Sequence, residues 1–148
     1  MVEKEIWLRR AQETSERYLA PGSDFNGHMG CRLIDCSYAE SSFTFAFESM
    51  DWQRNDRGEL HGGAIAGMFD TAFGVAAYIT AGGPVTVTAE LNISFLSAVS
   101  FGTDLRMRVI VLKAGKSLIR QRAELADGAT GRLLAVAGGS WAVFPCQA

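Results

Sequence analysis

The sequence predicts an α+β fold in which a strongly curved antiparallel sheet wraps around one long central helix. Between residues 64 and 81 nearly every position is apolar or small, with Ile65, Met68, Phe69, Ala72, Phe73, Val75, Ala76, Ala77 and Ile79 among them. A helix apolar on all sides is normally buried. Before and after that run lie stretches with the alternation and composition of strands, and strand runs gathered about one apolar helix pack as a sheet against it. A chain of 148 residues suits one domain with a sizeable core: residues 1–148, with an N-terminal helix over 1–20 and the core over 31–144.

Residues 3–19 read as an amphipathic helix, Ile6, Leu8, Ala11, Tyr18 and Leu19 being set among charges. Pro21-Gly22-Ser23 ends it. Strands over 31–38 and 42–47 meet at Ala39-Glu40-Ser41. In the second, Phe43, Phe45 and Phe47 alternate with Ser42, Thr44 and Ala46, the period of a half-buried strand. A polar loop over 51–59 leads into Leu60-His61-Gly62-Gly63 and the apolar helix, which Gly82-Gly83-Pro84 stops. Ala66, Gly67, Gly74, Ala76 and Ala77 leave room along that helix for the sheet to approach closely. From 85 to 95 the alternation puts Val85, Val87, Ala89, Leu91, Ile93 and Phe95 on one face and Thr86, Thr88, Glu90, Asn92 and Ser94 on the other. Strands over 105–113 and 117–126 flank the turn Ala114-Gly115-Lys116. Asp127-Gly128 turns the chain again, and 133–144 is the last strand.

Composition narrows the function. Fourteen Lys and Arg against sixteen Asp and Glu leave a net charge of −2, so nucleic acid and anionic membranes exert no general pull, and an anionic ligand needs a local basic cluster. Cys31, Cys36 and Cys146 are odd in number and lack paired spacing, which fits a reduced, cytoplasmic protein. The charged N-terminus has no apolar signal core. The 64–81 run approaches transmembrane length, but it contains Asp70 and lacks basic flanks, so no membrane span is expected. The two His and three Cys show no ligand spacing, so no metal is expected. There is no Gly-x-Ser-x-Gly elbow, and Ser140 sits in a strand context, which disfavours a serine hydrolase.

Chemistry concentrates in the apolar helix. Asp70 is a charge in apolar surroundings, costly unless paired, hydrogen-bonded or put to use. Gly62 and Gly63 leave backbone N–H groups bare at the helix start, where the dipole favours negative charge. A base and an oxyanion-type site in one element point to an enzyme. Eight residues separate Gly62 from Asp70, about 12 Å along a helix, so no single carbonyl touches both in one chain. Two such helices packed antiparallel about a twofold axis bring Gly62 of one beside Asp70 of the other, so a homodimer is expected.

Asn55, then His61-Gly62-Gly63, then Asp70-Thr71-Ala72, then the run from Thr88-Ala89-Glu90 through Leu96 resemble the hotdog-fold acyl-CoA thioesterases of the phenylacetate-degradation (PaaI-like) type, over nearly the whole chain. The resemblance implies hydrolysis of an acyl- or aryl-CoA thioester at sites between subunits, without a cofactor, in a homodimer that can pair again as a dimer of dimers. It implies that Gly62 offers its N–H to the thioester carbonyl and that Asp70 of the partner chain is base or nucleophile. Asn55 and His61 would shape the site and position water or thioester, and Thr88 would steady the reacting water or carboxylate. Gly63 would bind substrate beside Gly62, and Phe73 is among the residues that would line an acyl pocket, with Met50, Trp52, Met68, Phe69 and Tyr78. Lys113, Lys116 and Ser117 would meet the nucleotide, Lys116 standing where the family often has Arg; Arg120 is a further basic candidate. Structural alternatives stand beside these roles: Asp70 satisfied by Thr71 or backbone, His61 as a helix cap, Asn55 as a turn residue, Thr88 as an ordinary sheet threonine, His28 as a loop cap. Alternative functions are an acyl-thioester dehydratase or hydratase on the same fold and a non-catalytic acyl-CoA binding module.

Overall fold

The computed structural model describes residues 1–145; Cys146 lies outside them. The described residues form α1 (Val2–Tyr18), β1 (Cys31–Ser37), β2 (Ser42–Phe47), α2 (Gly62–Ala81), β3 (Val85–Phe95), β4 (Leu105–Ala114), β5 (Leu118–Asp127) and β6 (Leu133–Phe144). The strands make one six-stranded sheet in the order β1-β2-β4-β5-β6-β3, every neighbour antiparallel. The sheet wraps α2, as the sequence predicts.

The core is the seam between α2 and the inner face of the sheet. Met68, Phe69, Ala72, Phe73, Ala76, Ala77 and Ile79 are wholly buried, as are Phe43, Phe45, Leu105, Met107, Val109 and Leu125 from the strands. Each large side chain so placed contributes about 1.5–3 kcal/mol. Gln121 of β5, also wholly buried, donates from Nε2 to the Phe73 carbonyl at 3.1 Å and ties helix to sheet. Both ends of α2 are capped. His61, in extended conformation, accepts at Nδ1 from the Gly63 N–H at 2.8 Å. Gly82 closes the other end at φ +81°, a left-handed geometry that favours glycine, and donates to the Tyr78 carbonyl. Arg10 of α1 donates to the Ile79 carbonyl at 3.2 Å, a cation at the negative end of the dipole. By length and composition α2 is apolar enough to cross a membrane, but 67% of its most apolar window is buried inside the fold.

Three local expectations are corrected. First, α2 is not buried on every side. Gly62, Ala66, Asp70, Gly74 and Tyr78, spaced four apart, form a half-buried stripe. Second, Gly67 makes room for the loop after α1 rather than for the sheet. A Cβ there would lie 2.8 Å from the Phe25 ring and 3.1 Å from Met29. Third, β3 does not keep one alternation. Thr88 pairs with Trp141 but Glu90 pairs with Ser140, so Ala89 is an extra residue in a bulge. A one-residue insertion flips the faces beyond it. Thr86 and Thr88 therefore share the inner face with Leu91, Ile93 and Phe95, while Val85 and Val87 are 57% and 48% exposed. β3 is also an edge strand, so its outer backbone groups have no neighbouring strand among the described residues.

Candidate active site

The groups singled out in the sequence fall into separate places on one chain. At the start of α2 a cavity of about 310 Å³ is lined by Asn55, Gly62, Ile65 and the 95–99 segment. Among the described residues nothing accepts the Gly62 N–H, whereas the Gly63 N–H is taken by His61 and the Ala64 and Ile65 N–H groups by the His61 carbonyl. One donor left unpaired among the described residues, at the positive end of a twenty-residue helix, thus belongs to a residue lining a cavity that a carbonyl or oxyanion could enter. Phe95 limits it, its ring carbons lying 3.7 Å from where a Gly62 Cβ would stand.

Asn55 organises the loop beneath. Its Oδ1 accepts from the N–H groups of Arg57 and Glu59 at 2.9 and 3.0 Å, and its own N–H donates to the Glu59 carbonyl at 2.7 Å. That is the turn role for which asparagine is favoured, on a residue that lines the Gly62 cavity. His61 turns to a neighbouring hollow with Phe25, Trp52, Gln53 and Gly63. There its Nδ1 is committed to the cap, so the structural alternative describes its bonding within the chain.

Asp70 lies in a different cavity, of about 450 Å³, with Thr88. The bulge at Ala89 sets Thr88 on the inner face, where its Oγ1 donates to Asp70 Oδ1 at 2.7 Å. Thr71, the other partner weighed for Asp70, donates instead to Asn26 Oδ1 at 3.0 Å. Asp70 is half-buried on the open stripe of α2, with one oxygen held by Thr88.

The remaining residues divide. Lys116 and Ser117 line a hollow of about 560 Å³ with Thr80 and Pro84, at the C-terminal end of α2; Lys113 stands exposed on the same hairpin. Arg120 is paired across strands with Glu90 at 3.4 Å and Ser140 at 3.2 Å. Phe73 does not line an acyl pocket: it is wholly buried, its ring 5.1 Å from that of Trp141 and 6.2 Å from that of Phe69. Met68 and Phe69 are core residues for the same reason, since that face of α2 is pressed on the sheet. Tyr78, also expected at an acyl pocket, does line the cavity beside Asp70, whose wall is otherwise built by Tyr18, Asn26, Gly74, Thr86 and Trp141. No sequence signal groups these residues, because they converge from five separate segments. Burial, and secondarily the nearby Tyr78 hydroxyl, pushes the Tyr18 phenol pKa up.

Residues 57–134 match the model of the thioesterase superfamily. Human acyl-coenzyme A thioesterase 13 is 36% identical over 81 residues, covering 55% of this chain and 58% of the human protein, so the matched stretch spans under two thirds of that relative's length. The solved structure of the E. coli PaaI protein, from the phenylacetic acid degradation operon, superposes with a TM-score of 0.79 at 19% identity, covering 95% of each chain. A Streptococcus mutans protein solved with acetyl CoA bound superposes at 0.67 and 20% identity, covering 76% of this chain and 86% of that one. These structures share the hotdog fold. A family match across more than half of the chain, on the fold its structural neighbours share, makes this protein a member of the thioesterase superfamily.

Proposed function

We propose that the protein hydrolyses an acyl-CoA thioester to a carboxylic acid and coenzyme A, at active sites shared between two copies of the chain. The observation that carries this reading is the separation of its groups. The unpaired Gly62 N–H and the Asp70–Thr88 pair lie in different cavities, eight residues and about 12 Å apart along α2. A second copy joins them. The small residues Gly62 and Ala66 on the open stripe of α2 let an antiparallel helix approach closely, and the edge of β3 accepts a further strand.

In the resulting site Gly62 of one copy donates its N–H to the thioester carbonyl oxygen, which gains negative charge on attack; such a fixed donor is worth about 3–4 kcal/mol in the transition state. Asp70 of the other copy takes a proton from the attacking water, or attacks the carbonyl carbon itself to form an anhydride that water then cleaves. Thr88 holds the carboxylate oriented in either route. In either route the C–S bond breaks, the sulfur leaves as thiolate, and free coenzyme A forms when it takes up the proton that the reacting water gives up. Lys116 and Ser117, beside Thr80 in a separate hollow at the C-terminal end of α2, are the groups proposed for the nucleotide end of the substrate. Hydrolysis is favoured over dehydration because His61 Nδ1 is bound to the Gly63 N–H rather than paired with a carboxylate at one reacting carbon. The human relative's name and the bound acetyl CoA of the S. mutans protein support the substrate class. The unpaired cysteine pattern supports a reducing cytoplasm.

The test is thiol release from short, medium, long and aromatic acyl-CoAs without added metal or cofactor. Release from at least one is expected. No release from any, with the protein folded, rejects the enzyme and favours an acyl-CoA binding module.

A further inference from the structure

The cavity beside Asp70 extends past the hydrolytic groups along α2, as far as Tyr78. Tyr78, eight residues beyond Asp70 and about 12 Å along α2, stands against Tyr18 of α1, ring centroids 5.1 Å apart. Thr86 closes the sheet side, and Gly74 and Trp141 wall the space between. Among the described residues no Lys or Arg lines this cavity, so it offers phosphates nothing. Its walls are mainly apolar, as an acyl group requires.

Resting on the thioesterase reading above, we infer that this cavity receives the acyl group and that the Tyr18–Tyr78 pair is its floor, so that the enzyme takes compact acyl groups, aryl or medium-chain, and rejects long-chain ones. An extended chain advances about 1.2 Å per backbone bond, so 12 Å holds about ten bonds before the Tyr78 ring takes its share. The volume of about 450 Å³ exceeds the roughly 150 Å³ that admits a benzene ring. The first helix, outside the segment that matches the family model, thereby sets specificity through Tyr18.

The inference is tested by kcat/KM for saturated acyl-CoAs from acetyl to palmitoyl, and for phenylacetyl-CoA, in the natural chain and in Tyr78→Ala, Tyr18→Ala and Gly74→Leu. The natural chain should lose about tenfold or more once the acyl end passes the floor. Tyr78→Ala and Tyr18→Ala should raise the long-to-short ratio. Gly74→Leu should lower it, because a Cβ there meets only Trp141 Nε1, at 3.8 Å, and a longer side chain extends into the cavity. A length limit unmoved by all three variants, or efficient palmitoyl-CoA hydrolysis by the natural chain, overturns the inference while leaving hydrolysis standing. If nothing is hydrolysed the thioesterase reading fails separately. The floor is then read from binding of non-hydrolysable acyl-CoA thioethers, followed by Trp141 fluorescence in a Trp7→Phe/Trp52→Phe background. The same opposite shifts in the length limit are expected there, and their absence overturns the floor as well.

Discussion

Complementation between two inactive variants tests the shared site most directly. Asp70→Asn removes the base and should lower hydrolysis by about 10²–10⁴-fold. Gly62→Pro removes only the N–H, at a position suited to the exchange. Gly62 is the first residue of α2, where proline is best tolerated. The residue before it, His61, already has the extended backbone (φ −67°, ψ 138°) that a following proline demands, and a Cβ at Gly62 meets nothing closer than the Phe95 ring at 3.7 Å. Loss of that donor should lower hydrolysis by about 10²–10³-fold. When equal amounts exchange subunits, about half of the dimers are mixed, and each has one site with both groups intact, so activity returns to about a quarter of the natural level. Conversely, mixing the natural chain with an equal amount of the double variant should cut activity to about half, since every mixed dimer then has two broken sites. The assay is thiol release, with mixed dimers verified by differential tags. Verified mixed dimers with no recovered activity would refute the division of each site between two chains.

Two further outcomes follow from the surface and the core. Replacing Lys116 by Glu should raise KM for a CoA ester by about three- to tenfold and leave the rate on a truncated thioester without the nucleotide unchanged; equal losses on both would move the phosphate site away from the β4–β5 hairpin. Burial pushes the Cys31 thiol pKa well up, and that of half-buried Cys36 up in the same direction, so above the unfolded thiol's pKa of about 8.5 the unfolded chain releases the Cys31 proton while the folded chain keeps it. Cys31's contribution is therefore intact below that pH and lost as pH rises beyond it, by about 1.4 kcal/mol per unit. Urea unfolding between pH 8 and 10 should show a smaller slope for Cys31→Ala, and an unchanged slope would contradict the burial.

Residues whose role depends on neighbours in sequence were legible without coordinates. The bounds of α2 follow from His61 before it and Gly82-Gly83-Pro84 after it, because caps act through backbone groups within one turn. The six strands follow from alternation and turn residues in the same way. Asn55, Gly62, Asp70 and Thr88 stand out as a pattern of residue types at characteristic spacing. What failed were statements about which way a side chain faces. Phe73 and Tyr78 both belong to an apolar helix, yet one is sealed in the core and the other opens on a cavity. Alternation along β3 places Thr88 opposite Leu91, and the Ala89 bulge puts them on the same face; one unpaired residue in a ladder leaves no mark on composition.

The sequence by itself determined the element order, the apolar central helix with its single carboxylate, and the bare N–H at that helix's start, since each is local to one stretch of chain. Only the tertiary structure decided that α2 keeps an open stripe through Asp70, that Thr88 rather than Thr71 holds the carboxylate, and that Tyr18 and Trp141 reach the same cavity. Those outcomes depend on how a six-stranded sheet closes on one helix, and packing between distant segments is decided by shape and register that no short window of residues contains.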